Sequence, residues 1–207
     1  MSAASRKPWP LRWIVAAILI FIVPYTFITL KYRKTGHAFE PYADMKAQAN
    51  VNRLLDAGYR RLSLTAERPA VPYSASKLAG GAPAEASHTA GGLPSPLDTT
   101  LVDAPRLPAG YQNLIAPAAI NMLLPSQIQF VCKLDSDKEQ LGGAEIFIRE
   151  GAVVIVPVFE TISGGLQTRT KESVVLLTLP AGLLTSGTHT VTLVGAKESL
   201  YWKLIVR

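Results

Sequence analysis

The sequence predicts a mainly β protein that one N-terminal helix attaches to a membrane. Three observations predict this class. Residues 14–30, "IVAAILIFIVPYTFITL", contain no charge, and a helix of roughly 17–25 such residues crosses the hydrocarbon core. From residue 126 onward, apolar and polar residues alternate in short runs, as in half-buried strands. Between these parts, residues 69–96 are dominated by Pro, Gly, Ala and Ser, the composition of a linker.

The apolar helix is predicted over residues 11–30, after a short tail at residues 1–10. Aromatic and basic residues flank it, as at membrane–water interfaces, where rings and cations contact the headgroups. A cleaved signal peptide is the rival interpretation. The run is longer than an ordinary signal-peptide core, and it ends in "TLKYRK" instead of a small-x-small cleavage site, so we expect an uncleaved anchor. The predicted membrane-interface residues are Trp9, Arg12, Trp13, Lys31, Tyr32, Arg33 and Lys34.

The positive charge of the chain is concentrated around this helix. Residues 1–70 hold 11 Lys/Arg and 4 Asp/Glu, whereas residues 71–207 hold 10 and 11. This distribution favours a membrane surface over nucleic acid as the partner. A positive N-terminal tail resists translocation, and long domains cross regardless of charge. Assuming a bacterial cell, we expect a single-pass inner-membrane protein with a cytoplasmic N-terminus and a periplasmic or extracellular C-terminal domain.

A juxtamembrane basic and helical segment is predicted at residues 31–68. Within it, residues 40–62 favour a helix, because Pro41 and Asp44 suit a first turn and apolar residues recur at helical spacing. Gly58 is a predicted helix end. Two interpretations stay open: the helix packs on the globular domain, or it binds a partner near the membrane. The apolar positions are Met45, Ala47, Val51, Leu54, Leu55 and Leu62.

A flexible Pro/Gly/Ala-rich linker and irregular segment is predicted at residues 69–124, and an antiparallel β-sandwich at residues 125–207. Six short apolar stretches with polar loops between them predict the sandwich. In the first strand, Ile128, Phe130 and Cys132 share a face, so Cys132 is expected to be a small core residue. Pro157 predicts an edge position or a bulge. The stretches are "QIQFVCKL", "AEIFIRE", "AVVIVPVF", "VVLLTL", "HTVTLVG" and "SLYWKLIV".

The last strand places Leu200, Trp202, Leu204 and Val206 on one face, so we expect them to seal the core. The run "LPAGLL..G.HTVTL.G......YW.LIV" resembles the closing strands of Ig-like sandwich modules in bacterial envelope proteins. The chain departs from that pattern at His189 and Trp202. The resemblance implies an Ig-like fold and no particular activity.

The "PWP" of residues 8–10, just before a single membrane helix and an external β-domain, looks like FixH-type assembly proteins of cytochrome oxidases. This resemblance implies an assembly or regulatory factor for a membrane enzyme. It is the alternative to an accessory or structural subunit of an envelope complex.

No pattern of reactive residues predicts a catalytic, cofactor-binding or metal-binding site. The histidines, His37, His88 and His189, have no ligand-type partner at zinc spacing. The acids Asp135, Asp137 and Glu139 lie in a turn that lacks the glycine and the distal glutamate of a calcium loop. We expect a non-enzymatic interaction protein without cofactor, nucleic acid or small-molecule substrate. An enzyme with an unrecognised site is the third hypothesis.

Overall fold

The computed structural model describes residues 10–32, 41–78, 82–162 and 170–207. The chain divides into two compact units, Met1–Tyr42 and Ala43–Arg207. Four helices and eleven strands lie in the described residues. The helices are α1 (Leu11–Tyr32), α2 (Pro41–Asp56), α3 (Ala75–Leu78) and α4 (Ser95–Thr100). The strands are β1 (Arg60–Leu64), β2 (Ala66–Glu67), β3 (Ser87–Ala90), β4 (Gly110–Ile115), β5 (Ala119–Ile120), β6 (Ser126–Lys133), β7 (Glu139–Arg149), β8 (Ala152–Thr161), β9 (Glu172–Leu179), β10 (Gly187–Leu193) and β11 (Glu198–Val206).

The predicted N-terminal apolar helix is present as α1. Its first turn closes through a hydrogen bond from the Trp13 N–H to the Pro10 carbonyl at 2.9 Å. Pro24 lies inside the helix. No residue of the window Arg12–Thr29 is buried, and the helix is long and apolar enough to cross a membrane.

The mainly β prediction is confirmed, and the strands form two sheets. The larger sheet has the order β1-β7-β8-β10-β11-β3, with β5 also paired to β11, and the smaller one has the order β2-β9-β6-β4. Most pairs are antiparallel, but β8–β10 and β5–β11 are parallel. The expectation of a wholly antiparallel arrangement is therefore wrong at these two pairs. Between β8 and β10 the chain forms β9 in the smaller sheet, so β10 returns to the larger sheet in the direction of β8.

The β7–β8 hairpin shows how local sequence sets the register of the larger sheet. Arg149 pairs with Ala152 across a two-residue turn, in which Glu150 and Gly151 both have positive φ. This is the geometry of turns that match strand twist. Farther along β8, the pairing with β10 ends at Ile155. Pro157 therefore lies where β8 has a partner on one side only, as its missing N–H predicted.

Two clusters of buried side chains hold the Ala43–Arg207 unit together. The first combines both sheets, with Phe130 from the smaller and Ile146 and Trp202 from the larger. The second lies on the other face of the larger sheet, where Leu54 of α2 and Leu97 of α4 cover Phe147, Val154 and Val156. The C-terminal end of α2 thus packs on the larger sheet. α2 ends at Asp56, two residues before the predicted helix end at Gly58, and Leu62, one of the apolar positions assigned to the predicted helix, lies in β1.

The structure differs from the predicted flexible linker at residues 69–124. This stretch contributes β3, β4 and β5 to the sheets, and its Tyr111 ring forms a T-shaped pair with the Phe130 ring at a centroid distance of 5.4 Å. The compact unit begins at Ala43, so residue 125 is not its start. Composition misled here because the anchoring residues, Leu97 and Tyr111, are few and far apart and show no period.

Candidate anchor and interaction surfaces

The predicted membrane-interface residues can be located at both ends of α1. Arg12 and Trp13 lie in its first turn, and Lys31 and Tyr32 are its last two residues. At 1.5 Å per residue, its 22 residues span about 33 Å, which matches a hydrocarbon core of about 30 Å. Trp13 is 64% exposed, so its ring is free to contact headgroups. Trp9, Arg33 and Lys34 lie outside the described residues.

A groove of about 330 Å³ lies between α2 and β1. Its floor is the buried pair Leu54 and Tyr59, and Val51 and Leu55 of α2 are exposed at its rim. The Arg149 guanidinium lies over the Tyr59 ring, 5.4 Å from its centroid. This cation–π contact orients the ring that anchors the end of α2. The groove is lined mainly by apolar side chains, with Arg61 and Ser63 of β1 at its other side.

A second cavity, of about 620 Å³, lies where β3 of the larger sheet faces β4 of the smaller. His88 Nδ1 and Glu198 Oε1 are 2.6 Å apart beside it. The Tyr111 hydroxyl donates a hydrogen bond to the Val194 carbonyl, which holds the Tyr111 ring in the wall of the cavity. This cavity is lined mostly by side chains from residues 69–124, the stretch predicted to be a linker. Its lining includes Ala84, His88, Gln112, Asn113, Leu114 and Leu200.

The loop after β5 exposes the apolar side chains of Met122, Leu123 and Leu124. Its backbone is nevertheless held in place. The Met122 N–H donates to the Arg207 carbonyl at 2.9 Å, and the Met122 carbonyl accepts from the Gly182 N–H at 2.8 Å. The loop is therefore a fixed apolar projection beside a groove of about 440 Å³ that Lys77 also lines.

Two titratable groups in the core are held in their neutral forms. Burial raises the pKa of the Cys132 thiol. Burial, and secondarily the nearby Cys132, raises the pKa of the Tyr111 phenol. A thiol kept protonated is a poor nucleophile, and Cys132 is completely buried. The prediction that it is a small core residue is confirmed.

The histidines are distributed over separate parts of the fold. His189 lies near the start of β10 and is buried. Its Nε2 lies 2.7 Å from the Thr185 carbonyl; since a carbonyl only accepts, Nε2 carries the proton, and the buried Nδ1 has no partner. His88 lies on β3 and His37 lies outside the described residues. Within the described ranges, no group of three or more His, Cys, Asp or Glu could hold a metal ion.

Comparison with known proteins adds no relative to this picture. The chain matches no protein-family model, no curated protein and no solved structure. We therefore infer its function from α1, the two sheets and the surfaces described above.

Proposed function

We propose that this chain is a single-pass membrane protein that presents a β-sandwich outside the cytoplasm for protein–protein interaction. It serves as an accessory or structural subunit of an envelope complex. One observation carries the proposal. The large apolar side chains of α1 are exposed from Trp13 to Ile28, whereas Ala43–Arg207 encloses its own cores. Exposed apolar surface of this extent needs lipid or protein to cover it.

The sandwich part of the proposal is supported by the shared core. A single cluster of buried residues combines strands of both sheets, as two sheets packed face to face require. The resemblance of the closing strands to Ig-like modules points the same way. Such modules present loops and strand edges on a rigid scaffold, which suits binding rather than catalysis.

The orientation follows from charge and size. The tail before α1 carries Arg6 and Lys7, and Arg12 lies in its first turn. These cations favour the cytoplasmic side, whereas a long following domain translocates largely regardless of its charge. The Ala43–Arg207 unit is thus on the outer side of the membrane.

One observation favours the alternative of an assembly or regulatory factor. α2 buries Leu54 but leaves Met45, Val51 and Leu55 exposed. Val51 and Leu55 are four residues apart and therefore lie on one face of the helix, the spacing by which a helix docks into a partner, and Met45 lies on a neighbouring face. In that role the helix, more than the β-unit, recognises the membrane enzyme.

Purification of the full chain from its native membranes in mild detergent tests these proposals. We expect a different protein to co-purify in fixed stoichiometry. Recovery of the chain alone, or only with copies of itself, would contradict the accessory-subunit role. A matched variant carrying Met45→Gln, Val51→Gln and Leu55→Gln keeps good helix formers. Loss of the partner from this variant would select the assembly-factor alternative, and its retention would exclude it.

A further inference from the structure

The sheet edges in the described residues differ in how they are protected from pairing. Edge strands commonly carry charges, bulges or covers that prevent association. β1 carries Arg60 and Arg61, β4 has a register shift next to Asn113 with φ of 49°, and β2 pairs with part of β9. The other two edge strands pair with β11: β5 has only two residues, whereas β3 has the sequence Ser-His-Thr-Ala, and all four of its residues are exposed.

The hydrogen-bond pattern shows which groups of β3 face away from β11. The Gly91 N–H donates to the Lys197 carbonyl at 3.1 Å, and β3 continues this register with Ala90 opposite Glu198 and Thr89 opposite Ser199. Hydrogen-bonded pairs alternate along an antiparallel ladder. Thr89 is therefore bonded to β11, and the N–H and C=O groups of His88 and Ala90 point to the unpaired side.

These outward groups are arranged symmetrically about Thr89. If a second β3 approaches antiparallel about a two-fold axis at Thr89, each His88 faces the other copy's Ala90. Each such pair exchanges two hydrogen bonds, so the contact contains four. The two Thr89 residues then face each other in a non-hydrogen-bonded position, where Thr–Thr pairs are favourable.

We propose that β3 is a self-association edge, at which two copies of this chain join their larger sheets into one continuous sheet. The contact is isologous, because the same residues serve on both sides. The small side chains of Ser87, Thr89 and Ala90 allow close approach. Gly91 also lies close to its own sheet, because a Cβ there would come within 2.4 Å of the Lys197 backbone carbonyl carbon. Gly91, the residue that follows β3, is thus held against the backbone of Lys197.

This inference rests on the proposed membrane anchoring, because a four-residue edge is a weak contact in dilute solution. Two copies confined to one membrane have a greatly raised effective concentration. Under that condition four main-chain hydrogen bonds and a Thr–Thr contact can hold a dimer. The exposed edge itself requires no residue of α1.

Cysteine cross-linking of the full chain in its membranes tests the proposed pairing. In a non-hydrogen-bonded pair the two Cα atoms are about 4.5 Å apart, inside the range that a disulfide bridges. Thr89→Cys should therefore form a disulfide-linked dimer under mild oxidation. Lys203→Cys is the matched control, since Lys203 is exposed on the adjacent strand β11. Cys132 is buried and will not compete. We expect at least about tenfold more dimer from Thr89→Cys than from Lys203→Cys, because strand pairing holds the two introduced thiols together and makes their reaction effectively intramolecular.

A second variant separates strand pairing from collision. Ala90→Pro removes an N–H that points away from β11, and proline is tolerated on strand edges. Combined with Thr89→Cys, it should lower the dimer yield to that of Lys203→Cys while the thermal midpoint and the membrane retention stay unchanged. Undiminished cross-linking would overturn the pairing.

The remaining outcomes also decide the question. Equal dimer yields from Thr89→Cys and Lys203→Cys in membrane-retained protein would overturn the inference and leave the anchor intact. A disulfide to a protein of different mass would assign β3 to another partner and overturn self-association. If the chain is found in the soluble fraction, the membrane proposal fails. The self-association, which depends on confinement to one membrane, is then overturned with it.

Discussion

Trp202 is the largest completely buried side chain of the described residues, with 1% of its surface exposed. It lies on β11 opposite Val191 of β10, in the cluster that combines both sheets. We expect Trp202→Ala to lower the free energy of unfolding by about 3–5 kcal/mol, because it leaves a large cavity. Denaturant unfolding of the full chain in detergent measures this value.

Trp202→Phe is the matched control for that substitution. The indole N–H has no partner, so phenylalanine keeps most of the apolar volume and removes an unpaired donor. We expect a loss of less than about 1.5 kcal/mol, as for other substitutions that nearly conserve volume. An alanine variant that loses under 1 kcal/mol would show that Trp202 does not support the core.

Cys132 provides a test at high pH. Its pKa is raised in the folded chain, so the unfolded chain releases the thiol proton first, near pH 8.5. The stabilising contribution is complete below that pH and is lost as the pH rises above it, with a slope of up to about 1.4 kcal/mol per pH unit. Tyr111 acts in the same direction from about pH 10. Between pH 8.5 and 10, Cys132→Ala should therefore lose stability less steeply than the natural chain. Identical slopes would refute the buried, neutral thiol.

The alternation of apolar residues was sufficient to predict residues such as Cys132, Trp202 and Leu204. It failed at Gln129, which the pattern places on a polar face but which is buried. The reason is that Gln129 binds the main chain of Tyr73, 56 residues earlier. A side chain that satisfies a distant backbone leaves no local signal in the sequence.

At the scale of elements, this contact attaches residues 71–78 to the smaller sheet. Gln129 Oε1 accepts from the Tyr73 N–H at 2.8 Å, and its Nε2 donates to the Tyr73 carbonyl at 3.2 Å. Gln129→Leu keeps the volume but leaves both backbone groups unpaired, which should cost about 1–3 kcal/mol. Amide exchange at Tyr73 and protease cleavage within 71–78 should accelerate.

Gln127→Leu controls for the loss of an amide from β6, because Gln127 is exposed on the same strand. It should leave exchange at Tyr73 unchanged. If Gln129→Leu also leaves the exchange rate unchanged, the two hydrogen bonds do not hold the segment.

The short strands could not be predicted from sequence patterns. β7, β8 and β11 are long enough for their periodicity to be read, whereas β2 and β5 have two residues each. β3 consists of small and polar residues that are typical of loops. Such strands form because a neighbouring strand offers its backbone, which is a tertiary effect and does not depend on their own propensity.

At the scale of the whole molecule, the division into an apolar helix and a β-rich unit follows directly from composition. The boundary of the β-rich unit does not, because its strands come from residues on both sides of position 125. The interaction surfaces are likewise products of assembly. The opening beside β3 combines residues 84–88, 111–114 and 200, and no local motif connects them.

Membrane anchoring by α1 underlies both the proposed function and the proposed self-association. Retention of the full chain in membranes after an alkaline carbonate wash measures this. Ile18 and Ile22 are exposed in the middle of the helix. A lysine at a helix centre costs roughly 2.5–3.5 kcal/mol of insertion free energy, so Ile18→Lys with Ile22→Lys should release the chain. Ile18→Leu with Ile22→Leu is the matched control. We predict that the natural chain and the leucine variant stay in the membrane pellet while the lysine variant is found in the supernatant. Release of the natural chain by the wash, or full retention of the lysine variant, would contradict membrane anchoring by α1.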